Sequence, residues 1–160
     1  MKKLYAPWRG EYLTVSKDRK KGNCPFCRSF SEQADDENYI ILRSEHAVLM
    51  LNRYPYNGGH VMVLPKRHVP NIDDLKDDER NDLFALVSRA TALVQEAFHP
   101  EGMNIGINMG AAGGGGLPEH LHVHIVPRWR SDTSFLTTVG ELKVISVDLD
   151  AIFNSLKKLA

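Results

Sequence analysis

Apolar residues recur with period 3.6 in one long stretch of this chain and with period two in several short ones. Residues 77–98 place Leu83, Leu86, Val87, Ala90, Leu93, Val94, Ala97 and Phe98 at i, i+3, i+4 and i+7 spacing, which predicts a helix lying against a sheet. Asp77 or Asp78 can cap its start, and Pro100 and Gly102 end it. Residues 39–43 and 47–52 are short β-branched and aliphatic runs around Ser44 and Glu45, which predicts a hairpin. Turn chemistry follows in YPYNGG, residues 54–59, and then a third strand, residues 60–65, stopped by Pro65. Residues 103–109 and 119–129 read as two further strands, and 144–147 as a last one. Short helices are predicted near residues 28–34 and, amphipathic and C-terminal, over 148–159. The pattern predicts a single α+β domain with a largely antiparallel sheet: residues 1–38 form a peripheral arm, 39–147 the core and 148–160 the closing helix.

The densest chemistry lies in EHLHVHIVPRW, residues 119–129, where His120, His122 and His124 alternate with Leu121, Val123 and Ile125. Strand periodicity puts three of the seven histidines on one face, spaced roughly 6.6–6.8 Å along the backbone. The segment GAAGGGG, residues 110–116, feeds this strand and is almost free of side chains. Histidines sharing a strand face suit a catalytic metal. No acidic residue joins them on that face, and the glycine N–H groups can instead form a concave nest for phosphate oxygens.

Composition narrows the field. Twenty basic and twenty acidic residues give a net charge of zero, so neither a nucleic-acid polymer nor an anionic membrane is favoured as a partner. The start of the chain lacks the apolar core of a secretory signal, no apolar run approaches a membrane span, and a cytoplasmic location is expected. In that reducing setting Cys24 and Cys27, in CPFC, read as a redox pair, as half a zinc site, or as two unligated thiols packed inside. No thioredoxin-type βαβ pattern surrounds them.

HLHVHIV, residues 120–126, resembles the signature of the histidine triad (HIT) superfamily of nucleotide hydrolases and transferases. The resemblance extends upstream through LNRYPYNGGHVMVLPKRH, residues 51–68, and downstream through Pro127, Arg128 and Trp129. It spans about residues 38–143 and is strongest with the Fhit-like branch and the bacterial diadenosine tetraphosphate phosphorylases. It implies a HIT-like five-stranded, largely antiparallel sheet packed with one long helix and short helices.

The resemblance also implies roles. His122 would be the nucleophile, held in the right tautomer by the carbonyl of His120, with His124 and His60 beside the phosphate. Asn52 would meet the ribose hydroxyls, and Asn108, Gly115 and Gly116 the phosphates. Plain turn-forming roles remain open for both asparagines. Leu42, Leu49, Leu51 and Val61 would line a base pocket or lie in the core, and Trp129 would contact base or partner or be buried. His46 and His99 read as bystanders. In relatives carrying the cysteine pair, zinc is completed by residues matching His68 and His120, giving a Cys2His2 set that is structural rather than catalytic.

Relatives place Gln, Ser or Thr three or four residues before the first triad histidine; this chain has Gly116 and Leu117. The expected activity is cleavage of a dinucleoside polyphosphate such as diadenosine tetraphosphate at the α-phosphate, by water or inorganic phosphate, with no organic cofactor. A nucleoside phosphoramidate hydrolase and a non-catalytic nucleotide-binding protein are the alternatives. An unpaired sheet edge would give relatives, and this chain, a reason to form a homodimer or larger homo-oligomer.

Overall fold

The computed structural model describes residues 24–114, 116–132, 135–140 and 148–160. The peripheral arm before Cys24, Gly115 and the strand expected at 144–147 lie outside them.

Helix α1 spans Pro25–Ser31, and strands β1 (Ile40–Arg43), β2 (Ala47–Leu51) and β3 (Val61–Pro65) follow. The long helix α2 spans Asp77–Phe98, β4 Gly102–Ile107, β5 Val123–Arg128, α3 Phe135–Gly140 and α4 Leu149–Leu159. The five strands form one antiparallel sheet in the order β1-β2-β3-β5-β4. The α+β architecture expected from the pattern is the one observed.

Strand parity divides the core in two. Leu49, Leu51, Val61, Val63, Val123 and Ile125 face α2 and meet Leu83, Leu86, Val87 and Ala90. Val48, Met50, Met62 and Leu64 face the other way, where Phe26 and Phe30 of α1 pack on them. Each fully buried Leu or Ile contributes about 1.5–3 kcal/mol, so the sheet is anchored mainly from the α2 side. Helix α4 closes that side, burying Phe153 and Leu156 in the same cluster.

Boundaries differ from expectation for physical reasons. Helix α1 starts at Pro25 rather than near Arg28, because proline's fixed φ suits the first helical position, and Cys27 therefore falls in the first turn. Lys76 stands at the N-cap of helix α2, and the Asp78 carboxylate accepts the Glu79 N–H at 2.9 Å. Glu79 accepts the Lys76 N–H at 2.9 Å and is clamped by Arg67 through bonds of 2.8 and 2.6 Å. The Arg67 bonds hold the Glu79 carboxyl well below its ordinary value, at about 2, despite the opposing effect of burial. Strand β4 stops at Ile107, leaving Asn108 and Met109 outside it. Strand β5 begins only at Val123, where its pairings with Val63 of β3 and Ile107 of β4 both end. Residues 120–122 run ahead of it, with the Leu121 N–H donated to the Val69 carbonyl at 2.6 Å.

Candidate active site

The sheet face opposite α2 carries the site. Met50 pairs with Met62, Met62 with His124 and His124 with Gly106, so one transverse row runs across four strands. His60 precedes this row on β3's approach and is fully buried; His120 and His122 precede it on β5's approach. Leu121, Val123 and Ile125 enter the core facing α2, which leaves the alternating imidazoles to the other face.

Backbone groups of fixed polarity assign the neutral tautomers. His122 Nδ1–H donates to the His120 carbonyl at 2.7 Å, which leaves the Nε2 lone pair free to act. The Tyr56 N–H donates to His60 Nδ1 at 3.1 Å, so the His60 proton sits on Nε2. That proton is donated to His124 Nδ1 at 2.9 Å, and the His124 proton is thereby placed on its own Nε2. The carbonyl of Pro65 accepts the His120 Nε2–H at 2.9 Å and turns the Nδ1 lone pair of His120 toward the cysteines. Burial, and then His124 and His122, pushes His60 down to about 3; burial and His122 push His124 down to about 4. Burial lowers His122 below the ordinary histidine value against the opposing bond to the His120 carbonyl. The rings of His122 and His124 lie 4.7 Å apart at 78°, and Tyr56 stacks on His60 at 4.9 Å and on His124 at 5.7 Å.

The turn that carries His60 is tethered to the end of β5. Asn57 Nδ2 donates to the Pro127 carbonyl at 2.9 Å and to Asp132 Oδ1 at 2.6 Å, while the Asn57 carbonyl accepts the His60 N–H at 3.2 Å. Gly59 in this turn has φ +76°, and a Cβ there would lie 2.9 Å from the ring of Phe98. Glycine alone meets both requirements.

Cys24, Cys27, His68 and His120 come together as one cluster, their donor atoms all within 4.8 Å of one another. Cys24 Sγ lies 3.3 Å and Cys27 Sγ 3.6 Å from His120 Nδ1, Cys27 Sγ lies 3.4 Å from His68 Nδ1, and the two Nδ1 atoms are 3.2 Å apart. A tetrahedral zinc with bonds of about 2.3 Å to sulfur and 2.05 Å to nitrogen separates S from N by about 3.6 Å and N from N by about 3.3 Å. The donor set fits that ion in type and in spacing. Burial and the neighbouring Cys24 thiol push the Cys27 thiol up to about 11. Phe26, between the two cysteines, lays its ring against His120 at 5.5 Å and against His122 at 5.7 Å.

A 460 Å³ cavity opens over this face. Of the expected site residues it is lined by Asn52, Gly116, His122 and His124; Asn108 is not on its wall, His60 stands behind His124, and Gly115 is outside the described residues. Asn52 uses Oδ1 to accept the Tyr54 N–H at 2.9 Å, and its Nδ2 faces His60 Nδ1 at 3.3 Å, so it shapes the turn as well as the wall. The four aliphatics divide between the two roles open to them. Of Leu42, Leu49, Leu51 and Val61, Leu51 at the end of β2 reaches the cavity, while all four pack in or against the core on the α2 side. Phe26, Met50 and Met62 supply the apolar wall. Trp129 is half-buried, does not line the cavity, and donates its N–H to Asp132 at 3.1 Å. His46 pairs with Glu45 and Asp78, and His99 is exposed, so neither meets the site.

A buried relay of neutral imidazoles, a 460 Å³ cavity and a Cys2His2 cluster thus adjoin one another on the sheet face opposite α2. The HIT domain profile matches residues 33–131, and the chain belongs to the HIT family. It is 39% identical over 151 residues to the AP-4-A phosphorylase of Mycobacterium tuberculosis, covering 91% of this chain and 77% of that one. It is 37% identical over 95 residues to the asymmetrical bis(5'-nucleosyl)-tetraphosphatase of Schizosaccharomyces pombe, covering 59% of this chain and 52% of that one. Among solved structures, it is similar to a zinc-bound histidine triad family protein of Mycobacterium smegmatis, with a TM-score of 0.69, 28% identity, and 85% and 91% of the two chains covered.

Proposed function

We propose that this chain cleaves a dinucleoside polyphosphate at its α-phosphate through a nucleotidyl-histidine intermediate on His122. The observation that carries the reading is the 2.7 Å bond from His122 Nδ1 to the His120 carbonyl, which commits the Nε2 lone pair to the cavity side. Nε2 attacks the α-phosphorus, the P–N bond forms, and the bond to the departing polyphosphate oxygen breaks. His124 Nε2–H, its tautomer fixed through His60, donates to that oxygen and offsets its developing charge. An incoming oxygen nucleophile then attacks phosphorus and the P–N bond breaks, restoring His122. The acceptor is inorganic phosphate, a reading supported by 39% identity to the mycobacterial phosphorylase; water is the alternative acceptor.

Asn52 and the backbone at Gly116 hold the nucleotide in this reading, with Asn52 nearest the histidines. Cys24, Cys27, His68 and His120 hold one zinc per chain. The ion supplies no reacting group: it pins α1 to the segment ahead of β5 and fixes the His120 carbonyl that orients His122. The enzyme acts in the cytoplasm as a homo-oligomer joined along the edge of β4, where Ile105 is 52% exposed.

Incubation with diadenosine tetraphosphate, with and without inorganic phosphate, tests the reading. ADP plus ATP formed only with phosphate is expected. AMP plus ATP without phosphate would replace phosphorolysis by hydrolysis, and no cleavage under either condition would overturn the function.

A further inference from the structure

The chain carries no net charge, yet the cavity over the histidines is lined by two charged side chains, Arg28 and Arg53, and by no carboxylate among the described residues. They come from separate elements: Arg28 from α1, directly after Cys27, and Arg53 from the loop after β2, directly after Asn52. Both are exposed toward solvent while lining the cavity, so they stand at its mouth. Arg28 has a loose pairing with Glu32 at 3.9 Å, both side chains about half exposed or more, at 64% and 47%. A pair of that kind contributes little and yields readily to a better anion.

Arg53 is seated more firmly. Its Nη2 donates to the Glu37 carbonyl, and its guanidinium carbon lies 5.1 Å above the Tyr39 ring. Tyr39 has a left-handed backbone, φ 55°, unusual outside glycine, and its hydroxyl donates to Asp150 of α4 at 2.8 Å. Strained backbone of this sort persists where surrounding contacts over-determine it, and here those contacts fix a cation at a cavity wall. Two of the guanidinium's three nitrogens, Nε and Nη1, take no part in the Glu37 bond.

We infer that Arg28 and Arg53 are specificity-determining residues that select the polyphosphate chain by its charge. The inference rests on the proposed function and deepens it. A nucleoside monophosphate ester or phosphoramidate brings one or two negative charges, whereas the departing part of a dinucleoside polyphosphate brings several. Two mouth cations in a carboxylate-free cavity therefore favour substrates by phosphate number. They also account for Gly116 and Leu117 lining the cavity where resembling proteins place a phosphate-holding Gln, Ser or Thr: the donor capacity absent there is supplied from the loop after β2 and from α1.

The test is equilibrium binding of AMP, ADP and ATP to the full zinc-loaded chain carrying His122→Asn, so that turnover does not intervene, at two salt concentrations. Affinity is expected to rise about tenfold or more from AMP to ATP. Arg28→Ala and Arg53→Ala should each weaken ATP about tenfold and AMP less than about threefold, and each should lower the salt dependence by about one charge. Arg28→Lys and Arg53→Lys should restore most of the gradient because they keep the charge. Equal losses for AMP and ATP, no gradient in the parent, a shift in ATP-against-GTP preference in place of the gradient, or no nucleotide binding at all would each overturn the inference. Diadenosine tetraphosphate left uncleaved while the gradient persists would instead overturn the catalytic reading alone.

Discussion

His60 Nε2 and His124 Nδ1 lie 2.9 Å apart in the protein interior, and the pair has a direction. The Tyr56 N–H occupies His60 Nδ1, so the proton runs from His60 toward His124 and leaves a donor on the far nitrogen of His124. His60→Ala removes that direction without touching the attacking ring. Its kcat on diadenosine tetraphosphate should fall by about 10²–10⁴. The loss should be much smaller on an adenylate ester with an activated phenolic leaving group, which departs without a proton. Equal losses on the two substrates, measured side by side, would remove the proton-donor role.

Acid should destabilise the fold through the same pair. Burial holds His60 at about 3 and His124 at about 4, whereas an unfolded histidine titrates near 6.5. The unfolded chain therefore binds more protons across that window, and stability rises with pH through it. The contribution is fully present above about pH 6.5 and is lost as pH falls toward 3–4, a change on the order of several kcal/mol. Denaturant midpoints measured from pH 7.5 to 4.5 should fall steadily in the parent. A His60→Ala/His124→Ala double variant should show a flatter slope.

Zinc should be a fold-stabilising ion. The four donors join α1, the β3–α2 loop and the segment ahead of β5, three parts of the chain that strand pairing leaves unconnected at this point. Elemental analysis should give one zinc per chain, and a strong chelator should lower Tm by several degrees. Cys24→Ser should reproduce the loss of metal and of stability together. A metal-free protein with unchanged Tm would contradict the role.

Asn57 should matter beyond its turn. Its amide bridges the Pro127 carbonyl and the Asp132 carboxylate, whose side chain is 5% exposed and also takes Arg128 at 2.6 Å. Asn57→Ala removes both bonds that tie the turn to the end of β5 and should cost about 1–3 kcal/mol by denaturant melt. It should also lower kcat by loosening the His60 turn, while Kd for AMP stays near that of the parent.

Much of this was legible in the sequence. Long-range apolar periodicity located α2 within a residue, and the H-x-H-x-H spacing located the sheet face over which the cavity opens. The metal cluster followed from motif resemblance, and its four residues do converge. The sequence left the four aliphatics open between pocket and core, and parity decides Val61: if His60 faces the site, so does Met62, and Val61 faces α2. Hairpin register then places Met50 beside Met62. Phe26, Arg28, Arg53 and Asn57 were not legible as site residues, because nothing local reveals that α1 folds across the sheet or that the turn bonds back to β5. Asp78 does serve the first turn of α2, whereas the part played by Glu79 was not legible because it depends on Arg67, more than ten residues away in sequence.

The central claim is that His122 carries the nucleotidyl group. Rapid mixing with diadenosine tetraphosphate in the absence of inorganic phosphate, an alkaline quench that preserves a P–N bond, and peptide mass mapping measure it directly. The account predicts an adenylyl group on the peptide containing His122, formed fast enough to support turnover and absent from His122→Asn. Turnover without an adduct, or an adduct on another residue, would contradict it.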